Sequence, residues 1–149
     1  MIWKLDPEVR LHRWKLFRES LNNLTFENAL EQTVELWKSS PFSPYYLDHS
    51  NPTNWPNPWT LIAENYYCDL AKALGILYTI KFTNHNPDCE IKIYHSKTNG
   101  QLYNLVWIDK GKYVLNMVDN EILNKTHVDQ AGLVLKFEYN KIDLKLDSF

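Results

Sequence analysis

Covalent and metallic frameworks have little material in this chain. Its 149 residues contain two cysteines, Cys68 and Cys89, which are far apart and form neither a CxxC pair nor a zinc-ligand spacing. That excludes a disulfide scaffold and a Cys-rich metal module, and it suits a reducing compartment. Arginine is also scarce, three against 13 lysines, and the net charge is −2 with 18 acidic residues to 16 basic ones. A chain so balanced offers no basic footprint for nucleic acid. No apolar run reaches 18 residues, so no membrane-spanning helix is expected. The opening Met1-Ile2-Trp3-Lys4-Leu5-Asp6 turns charged at once and lacks a signal-peptide core, which leads us to expect synthesis in the cytoplasm.

What the chain has in quantity is aromatic surface. Six Trp, nine Tyr and six Phe make up 14% of the residues, and the hydrophobic share is 44%. That is enough to bury a core at this length, and a single domain over 1–149 is expected. Asparagine is abundant, at 15 residues.

The N-terminal half reads as helix. Asp6-Pro7-Glu8 combines an N-cap, a proline at N1 and a first-turn acid; Leu11, Trp14, Phe17 and Leu21 follow at helical spacing. Thr25 caps a second helix whose Phe26, Leu30, Val34 and Trp37 share a face, so 1–38 reads as a helical hairpin. Residues 39–57 hold Pro41, Pro44, Pro52 and Pro56 among Phe42, Tyr45, Tyr46 and Trp55. Proline at that density forbids a continuous helix or a central strand. The segment is either an aromatic-anchored wrap over the core or a partner-binding loop, with Tyr45, Tyr46, Trp55 and Trp59 as its candidate binding residues.

Helix resumes at Pro58 and is expected to end at Gly75, with a break at Asn65 as one option. From Ile76 the pattern alternates. Strands are expected over 76–83, 89–95, 102–108 and 112–117, the Asn99-Gly100 pair marking one turn, so 76–123 reads as an antiparallel meander. The extension 124–149 is ambiguous between a helix capped by Thr126 and a strand through Leu133, Leu135, Phe137 and Tyr139. The fold class is therefore α+β.

The candidates for chemistry begin with Cys68. A thiol becomes a good nucleophile beside a helix N-terminus or a cation, with a histidine as base. If Asn65 interrupts the helix, Cys68 lies in a first turn; if not, it is an inert buried thiol. Of the five histidines, His12 lies on an amphipathic helix, His49 and His85 sit in turn-like segments, and His127 follows a possible cap. His95 closes a strand on the face of Ile91 and Ile93 and is the most plausible base. His85, Asp88 and Cys89 read as a hairpin turn rather than a metal site. No metal or cofactor is expected. Asn104 and Asn116 interrupt apolar strands as either structural amides or the remains of a site.

The order Trp55-x-x-Pro58, Leu61-Ile62, Cys68-Asp69-Leu70-Ala71, Leu74-Gly75-Ile76 resembles the bacterial transglutaminase-like cysteine peptidases. Their pattern is Trp-x-x-Pro, a leucine, Gly-Asp-Cys-Glu-Asp-x-Ala, and Leu-Gly-Val/Ile before a strand. A His-x-Val-Leu strand, a turn and a strand ending Leu-Asp-Asn follow. Asn104-Leu-Val-Trp107, Lys110-Gly111 and Val114-Leu115-Asn116 fall in the corresponding places, and the likeness spans 55–123. The resemblance implies a papain-like core with Cys68 as nucleophile, Asn104 where the histidine belongs and Asn116 where the aspartate belongs. The chain departs from the pattern at both. Tyr66-Tyr67 replace Gly-Asp, Asp69 comes one residue early, and the helix expected from Cys68 to Gly75 is short.

An amide is no base at neutral pH, so the expectation is a non-catalytic, pseudoenzyme-like site in a protein that acts through another protein or a second copy of itself. The alternative is a cysteine hydrolase or acyl-transferase pairing Cys68 with His95. Trp3–Glu8, Asn57–Ile62 and Cys68–Gly75 also resemble stretches of small proteins of marine tailed bacteriophages, which implies a phage-encoded factor, possible in a virion.

Overall fold

The computed structural model describes residues 1–44 and 47–149. Tyr45 and Tyr46 lie outside the described residues. Helices α1 (Pro7–Leu21) and α2 (Phe26–Lys38) occupy the expected stretches, the second capped by Thr25, whose hydroxyl accepts from Asn28 N at 3.2 Å. Helix α3 (Pro58–Glu64) follows the proline-rich segment, with the Asn57 side chain accepting from Thr60 N at 2.8 Å. It ends at Asn65 in the left-handed conformation (φ 60°, ψ 33°), which stops the helix and turns the chain.

Helix α4 (Asp69–Lys81) overturns the expected end at Gly75 and the expected strand 76–83. Ten of its 13 residues are buried, Leu70 to Ile80 with only Lys72 interrupting. A helix enclosed on every side carries apolar residues on every side, so the 3.6-residue period vanishes and a continuous run remains. Gly75 is in mid-helix. A Cβ there would lie 2.3 Å from ring atoms of Trp37, so the glycine serves close approach rather than termination. Gly75→Ala is expected to destabilise by about 1–3 kcal/mol despite alanine's better helix propensity, because the ring must move. Urea unfolding checks this, and a neutral result would show that Trp37 has room to shift.

The sheet has the order β3-β2-β1-β4 and is antiparallel throughout, from β1 (Cys89–Ser96), β2 (Leu102–Ile108), β3 (Tyr113–Leu115) and β4 (Leu133–Tyr139). The first three strands form the meander. In the extension both alternatives are realised: helix α5 (Lys125–Gln130), then β4. Asn124, not Thr126, caps α5, in a reciprocal box with His127. Residues 142–146 form turns rather than a strand.

One face of the sheet packs Ile91, Ile93, Val106 and Ile108 into the main core with α4. The other carries Leu105, Trp107 and Val114 under Val128 of α5, a smaller second core. The architecture is α+β: α1 packs on α3 and α2 on α4, rather than chiefly on each other as a hairpin, and α4 lies against β1 and β2 of the antiparallel meander. No helix of the described residues is long and apolar enough to cross a membrane.

Candidate functional site

Cys68 is the N-cap residue of α4, with extended backbone (φ −74°, ψ 174°). Its place is set by the chain before it. Asn65 ends α3, and Tyr67 is fully buried with its hydroxyl donating to Leu61 O at 2.8 Å. Tyr67 also pairs with the start of the proline-rich segment: Tyr67 N donates to Pro41 O at 3.1 Å and Ser43 N to Tyr67 O at 3.0 Å. The Lys72 ammonium donates to Ser40 O at 3.0 Å. These bonds lay residues 40–43 beside the N-terminus of α4. Cys68 is 6% exposed and forms one wall of a cleft of about 900 Å³.

Two residues lining the cleft, Asp69 and Asn104, belong to an amide–carboxylate cluster completed by Asn116. Asp69, the first residue of α4, accepts from Asn104 Nδ2 of β2 at 2.8 Å. Asn116 Nδ2, just past β3, lies 3.4 Å from both Asp69 oxygens and donates to the Asn104 main-chain carbonyl at 2.9 Å. Asn116 sits in the left-handed region (φ 69°), a conformation asparagine tolerates better than most residues. Burial raises the Asp69 pKa above the usual carboxylate value; the two amides, then Lys72, pull it back, and Asp119 adds to the rise. Asn104 is 2% exposed, and because Nδ2 faces Asp69 its Oδ1 points the other way, enclosed and without a hydrogen-bond partner among the described residues.

His49 is the histidine of this cleft. It lines the same cleft, together with Phe42, Leu47, Asp48 and Leu102, and its imidazole interacts with the Asn104 amide and, through space, with Asp69. The segment carrying it is tied down. Tyr139 Oη donates to His49 O at 2.7 Å, and Trp55 Nε1 donates to Asp48 O at 2.7 Å. The Trp55 ring meets Tyr139 edge-on, with centroids 5.0 Å apart. Burial lowers the His49 pKa; Asp48, Asp69 and Asn104 oppose that, and Lys136 reinforces it.

The site thus holds Cys68, Asn104 and Asn116 around Asp69. His95, considered as base, does not line the cleft. Its register opposite Leu102 keeps it on the face of Ile93 and Asn104, and its Nδ1 is enclosed without a partner among the described residues. Trp55 acts as a loop anchor, and Trp59, 46% exposed, stacks on Phe82 and meets Phe149 edge-on; neither lines the cleft. Cys89 is sealed in the core, its thiol pushed up to about 12 by burial. The helix following Cys68 is not short, since α4 runs to Lys81. Two residues of the cleft are not among the site candidates named from the sequence, where Asp69 enters only as a displaced acid and His49 only as a turn residue. Asp69 had one signal, an acid directly after the cysteine at a helix start; His49 had none beyond its place in a long loop.

No family model matches the sequence, and no curated protein sequence matches it. Solved structures do. Legionella pneumophila LapG superposes with a TM-score of 0.66 at 14% identity over 87% of this chain and 71% of that one. Its calcium-bound form gives 0.66 at 14% identity over 86% and 72%, and its EGTA-treated form 0.63 at 14% identity over 87% and 71%. LapG is transglutaminase-like, and so is the fold of this chain. Calcium is bound in one of those structures. Among the described residues of this chain no three His, Cys, Asp or Glu side chains converge as metal ligands.

Proposed function

We propose that this chain is a transglutaminase-like protein that receives a polypeptide segment in the cleft beside Cys68, and that residues 104 and 116 do not act there as a proton-transferring base and its acidic partner. The observation that carries this reading is the lock between Asn104 and Asp69. Where the family pattern has its imidazole, this chain has an amide whose donor is spent on a neighbouring carboxylate at 2.8 Å. An amide there neither takes the thiol proton nor returns one to a leaving group. The cleft itself persists, with apolar walls from Phe42, Leu47, Leu70 and Leu102 and polar groups from Asp48, His49 and Gln101, the composition expected of a peptide-sized site. The likeness to LapG, a transglutaminase-like cysteine peptidase, supports polypeptide as the occupant. The sequence likeness to marine phage proteins fits a phage-encoded factor that docks on another protein.

Peptides selected from a random displayed library on the immobilised chain test the reading. Selected peptides are expected to bind Cys68→Ala within about twofold of the parent, because removing one thiol from a cleft wall costs little. They are expected to lose at least roughly tenfold on Leu102→Arg, which fills the cleft with a charge. Peptides indifferent to Leu102→Arg would sink the proposal.

A further inference from the structure

The cleft has a second imidazole position, and it is filled. We infer that His49, delivered by the proline-rich segment rather than by the sheet, is the imidazole that serves Cys68, with Asn104 as its positioning residue. The inference rests on the cleft reading above and adds an acyl-transfer activity to it.

Three independent features point to His49. The first is Asn104 Oδ1, an acceptor enclosed in a residue 2% exposed, fixed in direction because Nδ2 is held by Asp69, and lacking any donor among the described residues. A buried acceptor without a donor is costly, and His49 lines the same cleft as Asn104. An N–H of the His49 ring pointed at Oδ1 satisfies the amide and fixes the tautomer, leaving the other nitrogen for the cleft. The second is Cys68, which shares the cleft wall with His49 and sits at the N-terminus of a 13-residue helix, where developing negative charge on sulfur is favoured. The third is the anchoring of the His49 backbone by Tyr139 and of its neighbour Asp48 by Trp55, which fixes the segment that carries the ring and lowers the entropic cost of binding. An asparagine that orients a histidine beside a cysteine is a workable triad. Here the histidine comes from a different segment, and the asparagine stands where the family pattern has its histidine.

The chemistry balances without a cofactor. His49 takes the thiol proton as Cys68 Sγ attacks a carbonyl carbon of the bound segment. The C–N bond breaks, and the same proton passes to the leaving amine. The thioester is then attacked by water, whose proton moves through His49 back to sulfur, releasing a carboxylic acid.

The probe is p-nitrophenyl acetate with the full chain at pH 6.5, following p-nitrophenolate release. Wild type is expected to give a burst of about one p-nitrophenolate per chain, absent in Cys68→Ala. His49→Gln is expected to slow the burst by at least roughly tenfold, and His95→Gln to leave it unchanged. Asn104→Ala is expected to displace the pH midpoint of the burst rate, an effect that a merely structural amide would not produce. Near-UV circular dichroism verifies the variants, and His49→Asn replaces glutamine if the loop is disturbed. No burst in wild type, or a full-rate burst in folded His49→Gln and His49→Asn, overturns the inference. Peptide binding in the cleft alongside an inert thiol leaves the cleft reading intact and removes only this one.

Discussion

Thr79→Val is expected to cost about 2–5 kcal/mol of stability, although valine has nearly the shape of threonine. The Thr79 hydroxyl is the meeting point of the helical half. Its oxygen accepts from Trp14 Nε1 of α1 at 3.0 Å and from Trp37 Nε1 of α2 at 2.9 Å, and its proton goes to Gly75 O of α4 at 2.7 Å. All three side chains are buried at 1% exposure or less. Valine keeps the packing and the helix but accepts nothing, so two indole N–H groups are left in the core. Each such orphan costs about 1–3 kcal/mol. Thr79→Ser keeps the acceptor and gives up one methyl, a loss of about 1 kcal/mol. Urea unfolding followed by tryptophan fluorescence separates the two. If valine unfolds within about 1 kcal/mol of wild type, the indoles have other acceptors and the hub reading fails. The result bears on function, because α4 carries Cys68 and Asp69 at its first turn and depends on these indoles for its place between α1 and α2.

That hub also explains which parts of the fold the sequence could disclose. The α1–α2 pair, the capping threonine at 25 and strand β2 follow from local signals: a cap, a stripe at helical spacing, an alternating run. Helix α4 gave the wrong signal because burial on all sides erases periodicity, and Gly75 looked like a terminator because its reason for being glycine, the Trp37 ring, lies 38 residues upstream. The site behaves likewise. Asn104 stood out as an amide in an apolar strand, but nothing local says that Asp69 receives its donor or that its acceptor is left open. His49 was unreadable as a site residue, since only the pairing of residues 41–43 with Tyr67 and the Tyr139–His49 bond bring it to the cleft. His95 drew attention by lying on the buried face of a strand, yet that face does not extend it into the cleft.

The largest functional effect is expected from restoring an imidazole at position 104. Asn104→His places a ring on β2 with Asp69 ready to accept its N–H, as it now accepts the Asn104 amide at 2.8 Å, and with Asn116 alongside. The ring is larger than the amide it replaces. The adjoining cleft of about 900 Å³ offers space, so the stability cost stays near the low end of the ~1–3 kcal/mol typical of overpacking. The informative background is His49→Gln, in which the imidazole we assign to Cys68 is gone. There, Asn104→His is expected to raise the rate of thioester formation on Cys68 by roughly 10²-fold, the lower end of what a positioned general base supplies. The same probe and near-UV spectrum report it. If the double variant folds and is no faster than His49→Gln alone, residue 104 does not occupy the position of a base, and the cluster around Asp69 is a structural lock with no catalytic ancestry.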